Sequence, residues 1–169
     1  MKNITLIGMP GAGKSTTGVV LAKTLGMQFI DTDLLIQTTQ QKQLQEIINE
    51  QGIEPFLQIE NDVIRKLQTE NSVIATGGSV IFGPEAMQNL KQNSLILYIQ
   101  LPIQTIKQRL SNIQTRGIAM AKGRTIEDVY QERIPLYEQH ADIILPAEGK
   151  NLEETVALMV QKLHEKGWK

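Results

Sequence analysis

Nine consecutive residues, Gly8-Met9-Pro10-Gly11-Ala12-Gly13-Lys14-Ser15-Thr16, are the part of this sequence whose types and spacing point most directly to chemistry. They fit G-x-x-x-x-G-K-[ST], a pattern whose glycines let backbone N–H groups turn inward around phosphate oxygens. Lys14 is expected to reach the β- and γ-phosphates and Ser15 to ligate Mg²⁺. Gly11, Ala12, Gly13 and Thr16, with the positive end of the following helix, complete the nucleotide-binding set. An ordinary glycine-rich turn is the competing reading, and the full motif between a strand and a helix argues against it. No Asn-Lys-x-Asp guanine-reading sequence occurs and the chain is small for a motor, which turns the reading toward ATP as co-substrate of a small-molecule kinase.

A second pair of candidates follows at Asp31-Thr32-Asp33. Two carboxylates at the carboxyl end of a buried strand lie where open α/β sheets bind ligands. Asp31 can hold a Mg²⁺-bound water, and Asp33 can accept a proton from an attacking hydroxyl. The plainer reading is that Thr32 or Asp33 caps a helix starting near Leu34.

The elements that must position these groups are visible in the periodicity. Apolar runs at 3–8, 28–30, 73–75, 95–99 and 143–145 read as five short buried strands, with helical segments between them. Their continuous apolar character suits a parallel sheet covered by helices on both faces. Gly18, Leu21, Ala22 and Leu25 mark the first helix. Pro55 suits a first helical position before the stripe Phe56, Ile59, Val63 and Leu67. Thr125 with Asp128 caps a helix leading to Pro135, and Asn151 with Glu154 forms a capping box before Val156, Met159, Val160 and Leu163. The polar stretch 112–124 has no clear period and is expected to be a mobile lid.

The chain of 169 residues is expected to form a single domain, 1–169. With 41% hydrophobic and 21% charged residues it can bury a core and stay soluble. A net charge of -1 supplies no basic field for nucleic acid or anionic membrane. No run reaches the length of a membrane span, and the N-terminal segment turns to glycine too early for a secretory signal, so a cytoplasmic protein is expected. Without cysteines, and with His140 and His164 isolated, thiolate catalysis and Cys or His metal clusters are excluded.

Beyond the phosphate loop and Asp31-Thr32-Asp33, four further stretches occur in order: Phe56-Leu57-Gln58-Ile59-Glu60, Thr76-Gly77-Gly78-Ser79, Thr115-Arg116-Gly117 and Arg133-Ile134-Pro135-Leu136-Tyr137. In these the sequence resembles the shikimate kinase family, P-loop kinases related to nucleoside monophosphate kinases, over nearly its whole length. The resemblance implies a three-layer α/β P-loop kinase fold with a five-stranded parallel sheet in the order 2-3-1-4-5. It implies transfer of the γ-phosphoryl group of Mg·ATP to the 3-hydroxyl of shikimate. By the same resemblance Lys14, Ser15 and Asp31 handle phosphates and metal, and Asp33 meets the acceptor hydroxyl. Gly77 and Gly78 admit the substrate to the backbone and Arg133 clamps its carboxylate. Arg116 swings in with the lid to offset phosphoryl charge, and Arg109 stacks on adenine. Arg109, Arg116 and Arg133 could each instead be ordinary surface or helix-pairing charges. Glu60 matches a family glutamate but, as a helix charge, is expected to be exposed and is given no role.

Three positions depart from the family. Leu57 replaces an arginine that grips the carboxylate, Ser79 replaces the third glycine, and Gly117 replaces a proline after the lid arginine. Either Arg133 holds the acid alone, or Lys122 or Arg124 moves inward, or the pocket takes another small hydroxyl metabolite. A nucleotide-binding regulatory module is the non-enzymatic alternative, against which Asp33, Arg116 and Arg133 speak.

Overall fold

The computed structural model describes residues 2–111 and 118–168. Five strands pair in parallel in the order β2-β3-β1-β4-β5: β1 (Asn3–Ile7), β2 (Gln28–Asp31), β3 (Ser72–Ala75), β4 (Ser94–Gln100) and β5 (Ile143–Pro146). β1 is central, with Ile4 opposite Val73 of β3 and Leu95 of β4. All residues of β1 and β3 are buried, as expected for strands covered on both faces. The edge strands are not: β2 is half-buried to exposed, and in β5 Ile143 and Leu145 point inward while Ile144 is 42% exposed.

The helices are α1 (Lys14–Leu25), α2 (Thr32–Gln40), α3 (Leu44–Gln51), α4 (Ile53–Arg65), α5 (Pro84–Asn93), α6 (Ile103–Ser111), α7 (Ile126–His140) and α8 (Leu152–Glu165). The expected capping box at Asn151 is present, and the expected cap at Thr125 is a capping box as well. Asn151 and Glu154 exchange side-chain-to-backbone bonds of 2.8 and 3.0 Å, as do Thr125 and Asp128 at 3.2 and 2.9 Å.

Three local expectations are corrected. α7 does not end at Pro135 but runs on to His140, because Val129, Arg133 and Tyr137 anchor its buried face and outweigh one lost backbone hydrogen bond. α4 begins at Ile53, so Pro55 sits inside the first turn, where N–H groups have no intrahelical partner anyway. Its fully buried stripe is Phe56, Glu60, Asn61 and Ile64 rather than the sequence Phe56, Ile59, Val63 and Leu67.

The main core wraps the sheet. A smaller cluster of Ile36, Leu44, Ile47, Phe56 and Ala119, with Leu57 packed against it, fills the space among α2, α3 and α4. Since all strands are parallel, their carboxyl ends open on one side, bringing Gly8, Asp31 and Thr76 together. Thr76 ties the ends of β3 and β1, its N–H and Oγ1 both donating to the Leu6 carbonyl at 3.2 and 2.9 Å.

Candidate active site

The phosphate loop joins β1 to α1, and Gly13 caps the helix with φ of 85°, a left-handed conformation that disfavours side chains. Lys14 is buried, and its Nζ donates to the carbonyls of Gly8 and Met9, both at 2.8 Å. The ammonium is thus held at the mouth of a loop whose walls include Gly11, Gly13 and Ser15. Ala12 and Thr16 do not line this space. The Ala12 amide donates to the Met9 carbonyl at 3.1 Å, and Thr16 is exposed. Arg109 on α6 closes over the loop, with Nη1 3.3 Å from the Gly11 carbonyl.

Asp31 has two duties. Its Oδ1 caps α2 by accepting from Asp33 N–H at 2.9 Å, while Oδ2 accepts from Ser15 Oγ at 2.7 Å. The cap is therefore Asp31, not Thr32 or Asp33, and α2 starts two residues before Leu34. Adjacent Ser15 and Asp31 oxygens beside a phosphate loop are hard donors of the kind Mg²⁺ takes. No cluster of three His, Cys, Asp or Glu side chains that could hold a metal exists among the described residues.

The turn after β3 brings the acceptor-side groups together. A Cβ on Gly77 would lie 2.8 Å from Asp33 Oδ1 and 3.0 Å from Glu60 Oε2, so a side chain there would push one of the two carboxyl groups aside. Gly78 is wedged between Pro10 of the phosphate loop and Arg133, whose Cδ and Nη1 would lie 2.8 and 3.0 Å from its Cβ. Tyr137, stacked on Tyr98 with ring centroids 5.2 Å apart, donates its hydroxyl to the Gly78 carbonyl at 2.6 Å. Burial pushes the Tyr137 phenol above its ordinary range and keeps it a donor.

Arg133 is 3% exposed, donates from Nη2 to the Ala119 carbonyl at 2.6 Å and lies 5.4 Å from the centre of the Phe82 ring. It forms no salt bridge among the described residues. A buried guanidinium with no salt bridge among the described residues favours an anionic ligand. Asp33, Gly77, Gly78, Ser79 and Arg133 share one cavity of about 280 Å³ with Lys14, Ser15 and Asp31.

Leu57 does not line that cavity. It faces a neighbouring groove with Phe82, Ile118 and Lys122, which meets the cavity at Arg133. Arg124 is paired with Glu132 on the exposed rim. Ser79 donates its hydroxyl to Glu60 Oε1 at 2.7 Å, and Glu60 is 2% exposed. The expectation of an exposed Glu60 is thus corrected: it falls four residues from both Phe56 and Ile64 and shares their buried face. That spacing was the available signal. Burial raises the Glu60 carboxyl to about 7; the Ser79 bond lowers it, Asp33 raises it, and Arg133 and Lys14 lower it. Arg116 and Gly117, with the lid residues 112–117, lie outside the described residues.

The family model of shikimate kinase matches residues 10–164. The chain belongs to the shikimate kinase family. That family comprises phosphotransferases with an alcohol acceptor. A shikimate kinase of Persephonella marina is 33% identical over 152 residues, covering 89% of this chain and 92% of that one. One from Clostridium botulinum is 35% identical over 173 aligned positions, covering 100% and 99%. Among solved structures, shikimate kinase from Acinetobacter baumannii in complex with shikimate superimposes with a TM-score of 0.91 at 27% identity, covering 100% of this chain and 96% of that one. The three-layer P-loop kinase fold and the strand order 2-3-1-4-5 agree with this membership.

Proposed function

We propose that this protein transfers the γ-phosphoryl group of ATP to the 3-hydroxyl of shikimate, releasing ADP and shikimate 3-phosphate. The observation that carries the reading is the single cavity into which Lys14 and Ser15 of the phosphate loop, Asp33, the Gly77-Gly78 turn and the buried Arg133 all project.

In this reading the loop amides hold the β- and γ-phosphates, and Lys14 exchanges its bonds to the Gly8 and Met9 carbonyls for phosphate oxygens. Ser15, with Asp31 through water, would hold Mg²⁺, which when bound with ATP screens phosphate charge. Asp33 takes the proton from the acceptor hydroxyl as its oxygen bonds to the γ-phosphorus and the bond to the β-phosphate oxygen breaks. Arg133 holds the acceptor's carboxylate, and Gly77 and Gly78 admit its ring to the backbone. Arg109 covers the nucleotide, and Arg116 would offset charge on the transferring group. We further read the chain as one domain that works in the cytoplasm. No helix among the described residues is long and apolar enough to cross a membrane.

A second reading has one observation in its favour: Leu57 leaves Arg133 as the only buried guanidinium beside the cavity among the described residues. Under it, the enzyme phosphorylates a different small hydroxyl metabolite. Coupled detection of ADP with shikimate and a panel of uncharged polyols separates the two. Turnover confined to shikimate supports the first, and turnover only with polyols replaces it by the second.

A further inference from the structure

Glu60 is a buried carboxyl group held on one side only. Its Oε1 accepts the hydroxyl of Ser79 at 2.7 Å, and Oε2 has no hydrogen-bond partner among the described residues. Buried polar atoms are rarely left in this state. The direction of Oε2 is defined by Gly77, since it and Asp33 Oδ1 approach the same point, 3.0 and 2.8 Å from where a Cβ would stand. Two carboxyl oxygens therefore converge over one small patch of backbone. Asp33, Gly77 and Ser79 all line the acceptor cavity at that place.

The acid-binding side is thinner. Arg133 is buried beside the cavity, while Leu57 turns into the neighbouring groove and packs against the small apolar cluster. An acceptor's carboxylate therefore faces one buried guanidinium, while on the opposite side Asp33 lines the cavity and the Glu60 carboxyl group lies against Gly77. In such a pocket the hydroxyls carry an enlarged share of recognition, and whatever aims the second carboxyl group sets that share.

We propose that Ser79 is a positioning residue of the acceptor site, whose hydroxyl fixes Glu60 so that Glu60 Oε2 and Asp33 Oδ1 together receive two neighbouring hydroxyls of a polyol acceptor. This rests on the acceptor reading above and extends it to a residue outside the phosphoryl-transfer machinery. Glu60 forms and breaks no covalent bond. Its burial keeps it near the balance between acid and carboxylate at neutral pH, so Oε2 can meet a hydroxyl as donor or as acceptor. Without the Ser79 hydroxyl, Oε1 loses its donor and the carboxyl group is free to rotate away from Gly77.

The test is steady-state kinetics of wild type, Ser79→Ala, Ser79→Thr and Glu60→Gln with shikimate and with an analogue lacking the hydroxyl next to the one phosphorylated. Ser79→Ala is expected to raise the shikimate KM roughly fivefold to tenfold, the worth of one buried hydrogen bond, with the ATP KM little changed. Ser79→Thr keeps the hydroxyl and should recover most of this. Wild type should discriminate strongly against the deoxy analogue, and Ser79→Ala and Glu60→Gln should discriminate much less. Unchanged discrimination in both variants overturns the proposal, as does a Ser79→Ala protein with a wild-type shikimate KM. If Ser79→Ala fails to fold, Glu60→Gln carries the same comparison, and unchanged discrimination in it overturns the proposal. Wild type that binds ATP yet never turns over shikimate instead overturns the substrate reading, and it does so before any variant is made.

Discussion

The donor and acceptor halves of the site are built in different ways. The phosphate loop is local: nine consecutive residues whose polar groups close on one another, with Lys14 on the Gly8 and Met9 carbonyls, and the next residue, Thr17, donates its hydroxyl to the Gly13 carbonyl at 2.6 Å. Most of its contacts to a phosphate would come from backbone. The acceptor half is assembled from α2, α4, the turn after β3 and α7, and beside the Gly77-Gly78 backbone it is lined by the side chains of Asp33, Ser79 and Arg133, with Glu60 held behind Ser79. A backbone cradle tolerates exchange of its side chains, whereas a side-chain pocket changes its ligand with each replacement.

The contrast can be broken most severely at the donor side. Lys14→Ala is expected to slow phosphoryl transfer roughly a thousandfold or more, with the circular dichroism melt nearly unchanged, because the lysine acts on developing phosphate charge. Near-normal turnover in that variant would remove the loop from the chemistry. Asp33→Asn should lower kcat roughly a hundredfold to a thousandfold with a small change in ATP KM. Lost ATP affinity with kcat retained would move Asp33 to the donor side and erase the division.

The buried Glu60 carboxyl group makes stability depend on pH. Burial raises its carboxyl from 4.5 to about 7, so between these values the folded protein holds a proton that the unfolded chain has released. The stability contributed by this group is complete below pH 4.5 and is lost as pH rises through 7. Glu60→Gln has no such proton. Relative to wild type it should gain stability across this window, on the order of 3 kcal/mol at most, measured by urea unfolding at pH 4.5 and 8. A constant difference between the two proteins would mean that Glu60 is solvated.

Leu57→Arg gives the smallest of these effects. Leu57 and Arg133 share a groove wall, so an arginine at 57 can bring a second guanidinium to the acceptor's acid group. The shikimate KM should fall roughly tenfold to a hundredfold with ATP KM unchanged. A rise would show that Arg133 suffices and that the apolar packing of Leu57 matters more.

The donor half was legible in the sequence because its residues are contiguous and lie between an apolar run and a helical period. The strands were legible for the same reason, to within a residue or two at their ends. The acceptor half was harder to read from residues alone. The two-fold use of Asp31, as helix cap and as partner of Ser15, depends on the distance between β2 and α1, which no spacing encodes. Glu60 looked like a surface charge because charge is a good guide to exposure only where the helix face is not already claimed by Phe56 and Ile64. The bond from Tyr137 to the Gly78 carbonyl joins residues far apart in sequence, and so does that from Ser79 to Glu60 across the β3 turn. Pro135 suggested a helix end, and tertiary packing of α7 overrode it.

In the proposed reaction a single buried arginine, with Asp33 and Glu60, presents shikimate to the phosphate loop. The decisive experiment incubates the wild-type protein with ATP, Mg²⁺ and shikimate and follows the acceptor by phosphorus NMR. One new phosphomonoester resonance, that of shikimate 3-phosphate, is expected to grow in step with ADP. ATP bound by the protein with no phosphorylated shikimate formed, while an uncharged polyol is phosphorylated under the same conditions, would contradict it.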